Sequence, residues 1–184
     1  MIRSLLLVTV LFAASAVQAQ DRWFTREGHI RFHSHTPMED IEADNHQVNA
    51  IIDFETGDMA FSLLMKGFEF EKALMEEHFN EKYVESAKFP KAIFEGRIGG
   101  TVPDPTKAGE IEVPVSGKLT IHGVTREVTT NGTLTSDGNG QVTARAVFSV
   151  KPADHDISIP GVVRDNIAES IEVTVNATLA PLGK

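Results

Sequence analysis

Two histidines two positions apart, His33 and His35 in the run "RFHSH", carry the clearest hint of chemistry in the chain. On a strand, side chains at i and i+2 share a face, so both imidazoles point the same way, as a metal site requires. Further ligands are missing from the adjacent sequence, although His29 and His46 can approach from the same or a neighbouring strand. A solvated polar face is the plainer reading, and no metal is assigned. His78 falls in the apolar row of "FEFEKALMEEHFNEKY", and His122 sits in the corner of "LTIHGVTREV". A lone histidine in such places packs or turns the chain, and the His122 ring has no obvious obligatory partner. No serine or aspartate stands at a recognisable nucleophile spacing, and "DHD" at 154–156 reads as a loop capping a strand end. No catalytic residue is therefore assigned. An enzyme would have to use His78, or the His33/His35 pair, as base or metal ligand.

The beginning of the chain bears on its destination. "MIRSLLLVTVLFAASAVQAQ" has Arg3 ahead of an apolar run and small residues at Val17 and Ala19, the pattern of a secretory signal peptide over 1–19 cut after Ala19. Its apolar core is too short for a transmembrane helix, and nothing later approaches the roughly 18 apolar residues one needs, so the exported protein is expected not to span a membrane. Removing 19 of 184 residues leaves 165, enough for one domain, 20–184, with a full core. Loss of Arg3 takes the formal charge from -9 to -10, and no dense Lys/Arg patch offsets it, which argues against nucleic acid as a partner. With no cysteine, disulfides and thiolate chemistry are excluded, and packing alone must hold the fold.

Period-two alternation dominates the rest, in eight segments near 29–35, 46–54, 58–66, 91–98, 110–121, 124–136, 140–150 and 168–180. In "EIEVPVSGKLTI", Ile111, Val113, Val115, Leu119 and Ile121 share one face, and Pro114, which lacks an amide donor, predicts a bulge or unpaired stretch. "ETGD" at 55–58, "SDGNG" at 136–140 and the His122-Gly123 corner are short links, which imply antiparallel neighbours. Gly123 supplies the positive φ of a two-residue hairpin loop. One short helix is expected within 68–83, with Leu74, Met75, His78 and Phe79 on its inner row. Eight antiparallel strands with short turns can close into an up-and-down barrel, which removes exposed edges. A barrel of that size holds either its own side chains or one small ligand. Met59, Phe61, Leu63 and Met65, alternating along one strand, fit a lumen wall and a filled core equally well.

"HFNEKYVESAKFPKAIFEG" at 78–96 and "SGKLTIHGVTREV" at 116–128 resemble the paired signature of the YceI-like family of exported bacterial proteins. The matching positions are Phe89-Pro90, Ala92 and Phe94 in the first block, and Gly117, Leu119, Thr120, Ile121, Gly123, Thr125 and Val128 in the second. The resemblance spans about residues 22–181. It implies a lipocalin-like barrel whose interior holds a long apolar chain such as a polyisoprenoid or isoprenoid quinone, and it tilts the choice towards a cavity. On that basis Phe32, Phe61, Leu63, Phe94, Val113, Val115, Leu119 and Phe148 are the candidate lumen residues. The expected function is an exported, periplasmic or secreted protein that carries or sequesters a lipid-like partner, with no cofactor beyond the lipid itself. The rivals are a barrel enzyme and a filled barrel that acts on a protein partner. N-terminal sequencing of exported material is expected to begin at Gln20, and retention of Met1 would refute the leader.

Overall fold

The structure, a computed structural model, describes residues 22–183, and the expected leader lies outside them. Its strands are β1 (Arg22–His35), β2 (Asp40–Asp53), β3 (Asp58–Leu64), β4 (Glu69–Phe70), β5 (Lys91–Ile98), β6 (Gly109–Ile121), β7 (Val124–Ser136), β8 (Val142–Val150) and β9 (Ile171–Pro181). They are hydrogen-bonded in the order β1-β9-β8-β7-β6-β5-β3-β2, and β2 pairs back onto β1, so eight antiparallel strands close into a barrel. β4 pairs only with Ala43 and Asp44 of β2, beyond the stretch Asn49–Ile52 that β3 covers. In the gap between them, fully buried Asn45 donates from Nδ2 to the Leu64 carbonyl at 3.0 Å and accepts the Gln47 amide at 2.9 Å. A side chain thus takes the place of the missing ladder bonds.

Several local expectations change. β1 and β2 start earlier than the alternation suggested, because register shifts between Thr25 and Gly28 and between Gly28 and Ile30 break the period of two. A turn joins them at 36–39, where the Thr36 hydroxyl accepts the amides of Met38 and Glu39. Of the two outcomes expected at Pro114 the unpaired stretch holds and the bulge does not: Pro114 stays in register opposite Asn131 of β7 but lies just beyond the β5 ladder, which ends at Val115. The Pro114 carbonyl accepts the Gly99 amide at 2.8 Å, and since N and C=O of a strand residue point the same way, its missing donor faces the edge where β5 has ended. Ile111 is 46% exposed rather than inward, in the part of β6 that has β7 as a neighbour but no β5. The expected short helix lies within 68–83 as α1 (Ala73–His78), continued by a π-helical turn at Phe79–Tyr83, but Leu74 projects outward at 61% exposure.

The two ends of the barrel differ. At the end where β2 meets β3, Trp23 packs edge-on against Phe54, with ring centroids 5.8 Å apart, in a buried cluster with Ile52, Ile98, Val142 and Leu179. That end is plugged by side chains. The opposite end is covered by α1 and by the link 151–170 between β8 and β9, which includes short 3-10 turns at Pro152–His155 and Gly161–Asn166. Four rings, Phe32, Phe68, Phe70 and Phe79, meet beneath this cap at centroid distances of 5.1–5.6 Å.

The His122-Gly123 corner lies at the capped end. Both residues have positive φ, 52° and 75°, as a twisted two-residue hairpin loop demands. The His122 ring, contrary to expectation, is well occupied. It is 10% exposed, donates from Nδ1 to the His155 carbonyl at 3.0 Å and from Nε2 to Glu85 at 2.8 Å, and packs on Phe89. The hydrogen bond from His122, aided by Lys88, holds the Glu85 carboxyl below its ordinary range. Buried His155 in turn donates from Nδ1 to the Val124 carbonyl at 3.0 Å, so the hairpin tip fastens both parts of the cap.

Gly123 still admits no larger residue, because a Cβ would stand 2.7 Å from the Phe89 ring at a φ that a β-branched residue avoids. We therefore expect both Gly123→Val and His122→Ala to lower the denaturant midpoint clearly. His122→Ala strips the buried His155 carbonyl of its donor, a loss of about 1–3 kcal/mol. A wild-type midpoint for His122→Ala would show that the ring fastens nothing.

Candidate functional site

Barrel closure turns the period of two into an inside and an outside. The inside encloses a cavity of about 370 Å³ with almost wholly apolar walls. Every lumen candidate from the sequence lines it: Phe32 on β1, Phe61 and Leu63 on β3, Phe94 on β5, Val113, Val115 and Leu119 on β6, and Phe148 on β8. Met59 and Met65 join them, while Leu64 faces out at 51% exposure.

Sequence reading missed the part of the wall supplied by the 151–170 link, whereas Met75, His78 and Phe79 of the expected inner row do line the cavity. Ile157, Ile159, Val163 and Ile167 all come from the 151–170 link, and Met75, His78 and Phe79 from α1 and the turn after it. The apolar residues of "ISIPGVV" were the available signal, but a link with no regular element gives no periodicity to read. His78 lines the cavity, whereas His33 and His35 project from the outer face of β1 and do not reach it. Any chemistry of that pair is therefore separate from the lumen.

A pair of strand glycines keeps the lumen open. Gly96 of β5 and Gly117 of β6 lie directly opposite one another, and the Phe94 ring rests over them. A Cβ at Gly117 would stand 2.5 Å from the Gly96 Cα and 2.7 Å from Phe94 Cζ. Because neither position has a side chain, the ring lies against the wall instead of filling the interior.

Polar anchors ring the capped end. Glu39, after the β1–β2 turn, accepts from Asn166 Nδ2 at 3.0 Å and pairs with Lys72 at 3.4 Å, so one carboxylate ties the hairpin to both parts of the cap. The Asn166 bond chiefly, with Lys72, holds Glu39 below the usual carboxylate range. Buried Ser34 accepts the Ala168 amide at 2.9 Å.

The glycine pair generates a test. Gly117→Ala should force Phe94 off the wall and into the cavity, so an environment-sensitive apolar dye that enters the wild-type barrel should bind much more weakly. Equal dye binding by a folded variant would show that the pair does not set the lumen volume.

With this geometry in hand, comparison with known proteins is informative. The chain matches the YceI-like domain over residues 23–179. No curated protein sequence matches it significantly. Among solved structures it is similar to a polyisoprenoid binding domain from Saccharophagus degradans implicated in plant cell wall breakdown, with a TM-score of 0.74 at 12% identity, covering 88% of this chain and 99% of that one. It is also similar to BcnA of Burkholderia cenocepacia, with a TM-score of 0.71 at 16% identity, covering 83% and 96% of the two chains. A YceI protein of Campylobacter jejuni follows at 0.61 and 13% identity, over 78% and 86%. At these identities the structural matches speak to the fold, and the family match spans most of the described residues. The closed eight-stranded barrel with its short helix and the YceI-like match together place the chain in the YceI-like family.

Proposed function

We propose that the protein is an exported carrier, with a mature domain over 20–184, that holds one isoprenoid-type chain in its barrel for transport or sequestration. The observation that carries this reading is the apolar cavity of about 370 Å³ inside the barrel, within the size range of small-molecule sites. Its walls give water few hydrogen-bonding partners, whereas an apolar chain gains roughly 0.8 kcal/mol per methylene removed from water. Met59, Met65 and Met75 suit a flexible occupant, because unbranched thioether side chains adapt to irregular shapes. The polyisoprenoid binding domain that shares this fold supports the same class of ligand. Binding and release require no covalent step, and the role assigned to the wall residues is burial rather than catalysis.

Organic extracts of the purified protein, analysed by mass spectrometry, should contain an isoprenoid lipid. Leu63→Trp should displace it, because the indole occupies lumen volume, while a roomy cavity largely avoids the usual overpacking cost of about 1–3 kcal/mol. Extractable lipid in the wild type, with a nearly unchanged melting temperature in Leu63→Trp, supports the carrier. An empty wild-type extract together with a large melting drop in the variant rejects it.

A further inference from the structure

The outer face of the β1–β2 hairpin carries a pattern that the cavity does not use. Along β1 the outward residues are His29, Arg31, His33 and His35, and along β2 they are Asp40, Glu42, Asp44 and His46. The register sets His35 opposite Asp40 and His33 opposite Glu42. Two clusters of metal-ligating atoms result, His33 with His35 and Asp40, and His29 with Asp44 and His46. Between them stands Arg31, paired with Glu42.

Ring geometry separates the two. An imidazole nitrogen offers its lone pair in the plane of the ring, so one ion bound by two histidines must lie in both planes. His29 and His46 are stacked at 4.4 Å with planes only 6° apart, and near-parallel planes share no such point. His33 and His35 lie 5.9 Å apart with planes inclined at 47°, so their planes cross. Both rings already converge on one oxygen: His33 Nε2 is 3.0 Å and His35 Nδ1 is 2.6 Å from Asp40 Oδ1. Ligands at metal distances of about 2.0–2.2 Å in a tetrahedron lie about 3.3 Å from one another, so small side-chain adjustments admit an ion. Glu42 Oε1, 3.8 Å from His33 Nε2, is held by Arg31 and stays outside the cluster. The 36–39 turn, held by the Thr36 hydroxyl, presets the position of Asp40 at the start of β2.

We propose that His33, His35 and Asp40 form a binding site for a late first-row divalent metal ion on the outer wall of the barrel. Two imidazoles with one carboxylate suit Zn²⁺, Ni²⁺ or Cu²⁺ and disfavour Mg²⁺ or Ca²⁺, which prefer all-oxygen shells. Each imidazole coordinates through one in-plane lone pair with its proton on the other ring nitrogen, so the ion takes the place of the hydrogen bonds that now link the rings to Asp40. Positions left by the protein ligands face solvent and admit water or a donor from another molecule. The site is independent of the lumen.

Isothermal titration of the metal-stripped full chain with Zn²⁺ and Ni²⁺ tests it. One ion per chain is expected. His35→Ala should weaken binding by at least about tenfold, and Asp40→Asn should weaken it too. His46→Ala should leave it unchanged. His35 is well exposed, so its removal should spare the fold, which circular dichroism checks. Extractable lipid should be the same in wild type and His35→Ala, which keeps this result distinct from the carrier reading. The proposal is overturned if the wild type binds no metal, if His35→Ala binds as the wild type does, or if His46→Ala abolishes binding.

Discussion

Pairing of β1 with both β9 and β2 is the contact on which everything else in this molecule rests. A sheet left open between β1 and β2 would present two edges of unpaired amides and carbonyls to solvent, and every residue now inside the barrel would gain a route to water. Closure satisfies those groups and gives each strand a definite inner and outer face. An apolar lumen and a charged exterior are then consequences of the same hydrogen-bond ladder. Where the ladder has a gap, between β3 and β4 along β2, a buried asparagine bridges it.

A closed ring of strands does not by itself make a cavity, since eight strands leave room that side chains readily fill. Here the plug of Trp23 and Phe54 occupies one end, while the glycine pair beneath Phe94 thins the wall nearer the middle. The other end is covered by segments that are only partly regular, and a few polar groups hold them. His122 joins the β6–β7 corner to Glu85 and to the 151–170 link, and Glu39 joins the β1–β2 turn to Lys72 and Asn166. Cap and barrel are thus fastened by a few polar contacts between residues distant in sequence, around an apolar interior.

Strands and their inward faces were legible from sequence because inward positions repeat every second residue, whereas the choice of a lumen over a filled core came from the family resemblance. Phe61, Leu63, Val113, Val115 and Leu119 fall on such runs, and all line the cavity. The misreadings share one cause, which is that their outcome depends on a neighbour distant in sequence. Ile111 continues the inward pattern but has no β5 beside it, and Leu74 borders a helical row of which Met75, His78 and Phe79 meet the barrel while Leu74 itself does not. Pro114 was read correctly as marking an unpaired stretch, but that the missing amide faces the edge β5 has left, with no bulge, follows from the register.

The histidines show the division most plainly. Alternation alone determined that His33 and His35 share a face, and the chemistry of "HG" alone determined a tight corner at His122-Gly123. Which face is outside, that Asp40 completes the histidine pair, and that Glu85 and His155 meet the His122 ring were decided by tertiary structure. Periodicity and turn propensity act within a few residues, and a sequence displays them directly. Strand closure, register and long-range hydrogen bonds join residues tens of positions apart, and only the folded chain determines which of them meet.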